Sequence, residues 1–349
     1  LIAVALSGGA DSAFAAYLLR QKGYEVIALF ALLGQAKPEQ EITRVKRICT
    51  RLSLPLEIVD LRQEFQKKIV TYFKEAYRKA YTPNPCILCN REIKFGLLLE
   101  KALALGAQKM ATGHYVRLAF DASQRCYFIE KGVDRSKDQS YFLAFLTQTQ
   151  LAQTVFPLGE WHKKDVLQET IKLGLFEITA PESQEVCFIH GDYRQLFEDE
   201  AFPPGEIVTL TGRVVGKHHG LYAYTVGQRR GLGVRLGRPY YVLDLDPETN
   251  RVIIGPKKYL LRREVILQKL HQVCPVLSWP KEALVRVRYR HKEARAELHM
   301  LDKDRLLVRF KTPQPAITPG QFAVIYENDR VLGGGEIQRE KGAYLGKTN

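Results

Sequence analysis

Apolar and polar residues come in blocks along the first half of the chain, and the block lengths predict alternating strands and helices. Ile2-Ala3-Val4-Ala5-Leu6 reads as a buried parallel strand, and Phe14-Ala15-Ala16-Tyr17-Leu18-Leu19 as an apolar-faced helix. Residues 25–30 predict a second strand. Residues 39–52 predict a helix with Ile42, Val45, Ile48 and Leu52 on one face. A third strand over 56–59, a long helix over 61–79 and another over 91–105 follow. In the last, Phe95, Leu98, Leu99 and Ala102 fall at helical spacing. Lys109-Met110-Ala111-Thr112 is a short strand ending in Gly113-His114. This alternation predicts an α/β fold, a doubly wound parallel sheet. Ligands of such sheets sit beyond the carboxyl ends of the strands, where the segment 7–12, Ala31 and Gly113 all fall.

From Ser136 to about Leu175 the pattern is helical, with Pro181 as its stop. After Pro203 it changes to short β-type runs between glycine and proline turns: 205–208, 240–244 and 251–255, then 283–289, 294–300, 305–310 and 322–326. The expected organisation is an α/β domain over 1–199, a small β-rich central domain over 200–261, a C-terminal β-barrel over 262–337 and a polar tail over 338–349. Leu1 lies inside the first predicted strand, so a few residues are expected to precede it.

With 349 residues and 46% hydrophobic content the chain can bury a sizeable core in several domains. No apolar run reaches the ~20 residues of a membrane span, and no signal peptide is visible, so a cytoplasmic location without membrane attachment is expected. The net charge of +14 points to a polyanionic partner such as nucleic acid, with a basic surface kept for solubility as the alternative. Six cysteines in a chain this long do not make a secreted disulfide framework.

Between the first strand and helix stands Ser7-Gly8-Gly9-Ala10-Asp11-Ser12. Two glycines let the backbone approach a ligand, Ser7 and Ser12 add hydroxyls, and the helix directs its positive end at the same point. Such a cup holds a phosphate or pyrophosphate. It is neither a Walker loop, since it lacks the lysine, nor a dinucleotide loop. It resembles the pyrophosphate loop (PP-loop) of ATP pyrophosphatases, whose adenine nucleotide α-hydrolase-like fold splits ATP into AMP and pyrophosphate.

Thr82-Pro83-Asn84-Pro85-Cys86-Ile87-Leu88-Cys89-Asn90 links two predicted helices. Its prolines keep it extended, and Cys86 and Cys89 stand at C-x-x-C spacing near a helix N-terminus, which favours the thiolate. The spacing alone fits a redox pair, a zinc half-site or iron–sulfur ligands. Cys187, before Phe188, reads by itself as a buried strand cysteine. Cys49, Cys126 and Cys274 read as structural.

The 7–12 loop, Pro83-Asn84-Pro85, Cys89-Asn90, Ala111-Thr112-Gly113-His114-Tyr115, Lys137-Asp138-Gln139-Ser140-Tyr141 and Cys187-Phe188 stand in one order. Tyr224-Thr225-Val226-Gly227-Gln228-Arg229, Arg288-Tyr289 and Thr318-Pro319-Gly320-Gln321 continue it. Together they resemble the bacterial tRNA-specific 2-thiouridylases over nearly the whole chain. The resemblance implies ATP on Ala5, Leu6, Ser7, Gly8, Gly9, Ala10, Asp11 and Ser12, with Ala31 and Gly113 near the adenosine and Mg²⁺ on Asp11. It implies a persulfide on Cys187, with Cys89 as catalytic partner and a disulfide between the two on sulfur delivery. It also implies tRNA contacts at Asn84, Pro85, Cys86, His114, Lys137, Asp138, Gln139, Arg288, Tyr289 and Gln321. The family pattern has Asn-Pro-Asp where this chain has Asn84-Pro85-Cys86. Cys86, Cys89 and Cys187 could then hold a [4Fe–4S] cluster with one open iron for hydrosulfide. The loop after Ala31 also lacks the family's acidic, Trp-containing segment, which leaves the sulfur donor (a carrier protein or free sulfide) open.

Arg286, Arg288 and Arg290 alternate along a predicted strand, a basic stripe facing one way that suits either RNA phosphates or a solvated face; Arg229-Arg230 reads as a surface turn or, as the resemblance implies, a tRNA contact. The leading expectation is a tRNA 2-thiouridylase. Its rivals are an adenylate-forming amidoligase acting on a small acceptor, and an RNA-binding module with a vestigial nucleotide site.

Overall fold

Five parallel strands build the first sheet of the computed structural model, which describes residues 1–180, 186–189 and 191–342. They are β1 (Ile2–Ala5), β2 (Val26–Leu32), β3 (Leu56–Asp60), β4 (Lys109–Ala111) and β7 (Thr154–Val155), in the order β3-β2-β1-β4-β7. Sequence order reverses at β1, whose register pairs Val4 with Ala28 on one side and Ala111 on the other. The loops that leave β1 and β4 therefore open side by side at the topological switch point. Ala3 and Val4 are fully buried, because helices cover both faces: α1 (Ala10–Gln21) and α2 (Pro38–Leu52), and two longer helices over 62–78 and 85–104. Phe65, Ile69, Phe73, Ile93, Phe95 and Leu98 from those two form the largest core with Ala3 and Met110.

The helix expected to start at 91 starts at Pro85. Proline at the first helical position gives up no hydrogen bond, so the C-x-x-C pair lies on the helix rather than in the loop before it. From Cys89 to Leu98 the turns widen to π-helix, a form that often marks functional sites.

A hairpin the sequence pattern did not announce, β5 (Val116–Asp121) and β6 (Cys126–Lys131), leaves the first domain and joins the C-terminal sheet. That sheet is a barrel closed by β12 (Leu261–Gln272) on β17 (Arg330–Ile337), through β13 (Glu282–Arg286), β14 (Ala294–Asp302), β15 (Arg305–Pro315) and β16 (Phe322–Glu327). Val265, Val285, Val308, Phe310 and Ile325 fill it. The hairpin docks on β17 at Arg330–Glu130. Between the two units, β8 (Gly205–Thr209), β9 (Val214–His218), β10 (Tyr241–Asp246) and β11 (Arg251–Gly255) make a separate sheet in the order β10-β11-β8-β9. The stop expected at Pro181, residues 182–185 before Cys187 and the 343–349 part of the tail lie outside the described residues.

The barrel is anchored to the first domain by buried polar contacts. The Tyr141 hydroxyl donates to the Phe322 carbonyl at 2.8 Å, and Lys131 pairs with Glu293 at 2.5 Å. Cys126 on β6 and Cys274 after β12, expected as separate structural residues, form a disulfide. Both are almost fully buried, which shields the bond from thiol reductants. Alkylation of the unfolded, unreduced chain should label the four free thiols, and six after reduction. Converting Cys126 and Cys274 to alanine should lower unfolding stability by about 2–5 kcal/mol. Six labels without reduction would contradict the bond.

Candidate active site

The chain turns sharply between β1 and α1. Gly8 has φ +81°, a conformation that favours glycine, and its carbonyl accepts from the Ala180 N–H at 2.8 Å. Ser12 Oγ donates to the Gly9 carbonyl at 3.0 Å, accepts from the Ser7 N–H at 3.1 Å and meets Ser7 Oγ at 3.2 Å. The hydroxyls expected to face a ligand thus first shape the loop, while Ser7 stays exposed at its rim. Leu6 is buried beneath, and Ala10 opens the twelve-residue helix whose free N–H groups point into the cup. Ala31 lies near the end of β2, where its carbonyl accepts from Gln35 Nε2 at 2.9 Å.

Gly113 joins this cup to the rest of the site. A Cβ there would lie 2.8 Å from the Asp11 carbonyl carbon and from the Ser12 nitrogen, so only glycine lets the β4 loop rest on the first turn of α1. The Asp11 carboxylate is already engaged. Lys163 Nζ donates to both its oxygens at 2.7 Å, and the Tyr115 hydroxyl to Oδ1 at 2.7 Å. Asp11, expected to hold Mg²⁺, therefore presents no open pair of oxygens and does not fit a metal ligand as it stands. Tyr115 stands in the sequence only as the last residue of the 111–115 stretch, with no role assigned, and Lys163 is not singled out. Lys163 has no local signal, since it meets Asp11 across 152 residues.

Cys86 is half-buried and Cys89 buried on the first turns of the 85–104 helix. Burial pushes the Cys86 thiol up to about 11 and that of Cys89 to about 12; Lys94 opposes the shift in both, and Cys187 adds to it. The helix N-terminus was expected to lower these values. Desolvation outweighs it, and only Lys94, on the same helix, works in the expected direction. Cys187 is exposed rather than a buried strand cysteine. It is anchored by Phe188, whose ring meets Phe65 and Phe73 edge-on at 5.5 and 5.4 Å. The protein behind it still raises its thiol, again against Lys94. The three sulfurs thus share one electrostatic neighbourhood. Among the described residues no three His, Cys, Asp or Glu side chains come together as a metal site.

His114 follows Gly113 directly. Its Nδ1 lies 2.8 Å from Thr112 Oγ1, and its ring packs beside Phe95 and Phe156. Burial first, and Lys94 second, push its pKa down to about 3, so it is neutral at any working pH.

The other residues expected at RNA gather where the barrel meets the first domain. Gln321 is buried, and its Nε2 donates to the Thr82 and Pro83 carbonyls at 2.9 and 3.2 Å, so it holds the Asn84–Pro85 turn instead of facing outward. Asn84 lies beside the Tyr141 hydroxyl. Asp138 is buried too: it caps Ser140 through N–H and Oγ and faces Arg286 at 3.5 Å. Gln139 Oε1 accepts from the Tyr115 N–H at 3.0 Å, and Lys137 is half-buried. The arginine stripe does not form as expected. The strand ends at Arg286, which turns inward to Glu293 at 2.7 Å, while Arg288 is half-buried and Arg290 exposed. Tyr289 packs on Phe142 at 4.3 Å, and Arg229 and Arg230 are exposed.

Comparison with known proteins divides the chain into three matched parts. Residues 1–191 match the family described as tRNA methyl transferase HUP domain, 196–256 its PRC-barrel domain, and 262–337 the aminomethyltransferase beta-barrel domain. A protein of Syntrophomonas wolfei described as tRNA-specific 2-thiouridylase MnmA is 43% identical over 341 residues, covering 96% of this chain and 99% of its own. One of Carboxydothermus hydrogenoformans with the same description is 41% identical over 355 residues, covering 97% of both. Among solved structures, a 4-thiouridine synthetase–RNA complex with bound ATP covers 51% of this chain and 42% of its own at 18% identity and TM-score 0.35.

The thiol environments predict an order of reactivity. Iodoacetamide at pH 8 should label Cys187 first, with Cys86 and Cys89 slower and gaining about tenfold per pH unit through pH 10. Peptide mapping reads this directly. Equal labelling of Cys89 and Cys187 at pH 8 would contradict the burial argument.

Proposed function

The chain belongs to the tRNA-specific 2-thiouridylase family, and from that premise we propose that it replaces the C2 oxygen of the wobble uridine of tRNA with sulfur at the expense of ATP. The observation that carries the reading is the pair Gly113-His114. Gly113 rests on Asp11 in the phosphate cup, and His114 feels the same Lys94 that opposes the burial of Cys86, Cys89 and Cys187. In this reading the ATP site borders Gly113, and His114, the next residue, faces the Lys94 that also acts on the cysteines.

In this reading ATP lies along 5–12 with its adenosine toward Ala31 and Gly113, and Mg²⁺ enters with the nucleotide as its complex. The uridine O2 attacks the α-phosphorus; an O–P bond forms, the bond to the β-phosphate oxygen breaks, and pyrophosphate leaves. Loop N–H groups and the α1 terminus stabilise the charge that builds on the phosphates. Cys187 carries a persulfide received from a donor of sulfane sulfur, a carrier protein or free sulfide with an oxidant. The terminal sulfur bonds to C2, the C2–O bond breaks, and AMP leaves. Cys89 then attacks Cys187 Sγ, releasing 2-thiouridine and leaving a Cys89–Cys187 disulfide. The two thiols supply the two electrons that the sulfane sulfur gains, and an external thiol restores them.

Asn84, Pro85, Cys86, His114, Lys137, Asp138, Gln139, Arg288, Tyr289 and Gln321 line or support the surface that takes the anticodon arm. Several act by fixing the Asn84 turn and the barrel joint, while Arg288, Arg229 and Arg230 offer charge to phosphates. A tRNA substrate implies a cytoplasmic location, and no helix among the described residues is long and apolar enough to cross a membrane.

The test is nucleoside analysis of tRNA after anaerobic incubation with ATP and a sulfur source. Wild type should form 2-thiouridine with AMP and pyrophosphate. Cys89→Ala and Cys187→Ala should each lose thiolation at least about a hundredfold when a nucleophile is removed, with tRNA affinity unchanged. Full activity of Cys89→Ala would remove it from the mechanism, and absence of 2-thiouridine with folded, ATP-cleaving wild type would favour an amidoligase. Stoichiometric iron in anaerobically purified protein, lost in Cys86→Ala, would favour the [4Fe–4S] route over the persulfide.

A further inference from the structure

The 7–12 loop lacks the lysine that a Walker loop sets on its phosphates. The fold brings one to it from another element. Lys163 is the first residue of the helix Lys163–Lys172, and its placement is rigid. Its N–H donates to Asp134 Oδ2 at 2.9 Å, Val166 is buried against Phe14 and Leu158, and Trp161 packs edge-on against Phe14 of α1 at 5.0 Å. From that base its side chain crosses to Asp11 in the first turn of α1.

Asp11 is an anion at the mouth of an anion site. Alone it would oppose the phosphates that the loop N–H groups attract. The Lys163 ammonium cancels that charge, and neither partner is sealed off: their side chains are 20% and 29% exposed. An ammonium on a four-carbon stem has three rotatable donors and can exchange one acceptor for another within reach.

We infer that Lys163 is the phosphate-binding cation of this site, held on Asp11 when the cup is empty and shared with the β- and γ-phosphate oxygens when ATP is bound. AMP has no such oxygens, so the contact separates substrate from product and favours release of AMP. This rests on the ATP reading above.

The test is equilibrium binding of the non-cleavable analogue α,β-methylene-ATP, with magnesium, and of AMP, to the full-length protein. Lys163→Met should weaken the analogue roughly 10- to 100-fold, the range of a lost charge-assisted hydrogen bond, and leave AMP affinity within a few-fold. Lys163→Arg should retain most of the analogue affinity. The double variant Asp11→Asn/Lys163→Met separates this from mere masking of Asp11. If Lys163 only neutralised the carboxylate, removing both charges would restore binding, and the inference predicts that it does not. Equal loss for AMP and analogue, wild-type affinity in Lys163→Met, or rescue in the double variant would each overturn it. Failure of the wild type to bind the analogue at all would overturn the ATP reading itself, a separate outcome. Unchanged thermal melting and tRNA affinity show that the variants are folded, and Lys163→Gln, which also removes the charge, carries the comparison if the methionine variant is not.

Discussion

Everything at the site depends on the close packing of Gly113 against the first turn of α1. A side chain at 113 would press on the Asp11 carbonyl carbon and the Ser12 nitrogen, so the two loops that flank the switch point could not close on one another. With glycine there, the β4 loop rests directly on the helix terminus. His114, Thr112 and Tyr115 follow at fixed distances, and Tyr115 reaches Asp11. In the proposed reading, backbone contact of this kind would align two chemistries without a side chain of its own.

A second constraint is the joint between the first domain and the barrel. Gln321, from the turn before β16, binds the carbonyls of Thr82 and Pro83, and Tyr141 binds the backbone at Phe322. The hairpin 116–131 continues the barrel sheet, and Cys126–Cys274 ties it covalently. The turn that delivers Cys86 and Cys89 is therefore positioned from both units. The barrel thus helps to fix the turn that carries Cys86 and Cys89, so movement at the joint would be felt at the cysteines.

Much of this was legible in the sequence. The parallel sheet follows from apolar blocks at strand and helix lengths, and Ser7 to Ser12 announced a phosphate cup because strand, glycines and helix stood in order. The hairpin at 116–131 was not legible, because its partner strand, β17, lies some two hundred residues away. The helix start at Pro85 was hidden by Pro83-Asn84-Pro85, which reads as extended although proline suits the first helical position. The thiol shifts failed for a different reason. A helix N-terminus can be inferred from sequence, but the burial that overrides it cannot. For Arg286 the alternation was visible, but not that the strand would stop there and turn the guanidinium toward Glu293 and Asp138.

The central claim is that one active site first adenylates the uridine oxygen and then displaces it with sulfur. The most direct measurement follows that oxygen. A tRNA carrying oxygen-18 at C2 of the wobble uridine should yield 2-thiouridine and AMP in one turnover, with the label in the AMP phosphate. Label in pyrophosphate or water, with AMP unlabelled, would contradict attack of the base on the α-phosphorus, and with it the coupling of cup and cysteines proposed for this chain.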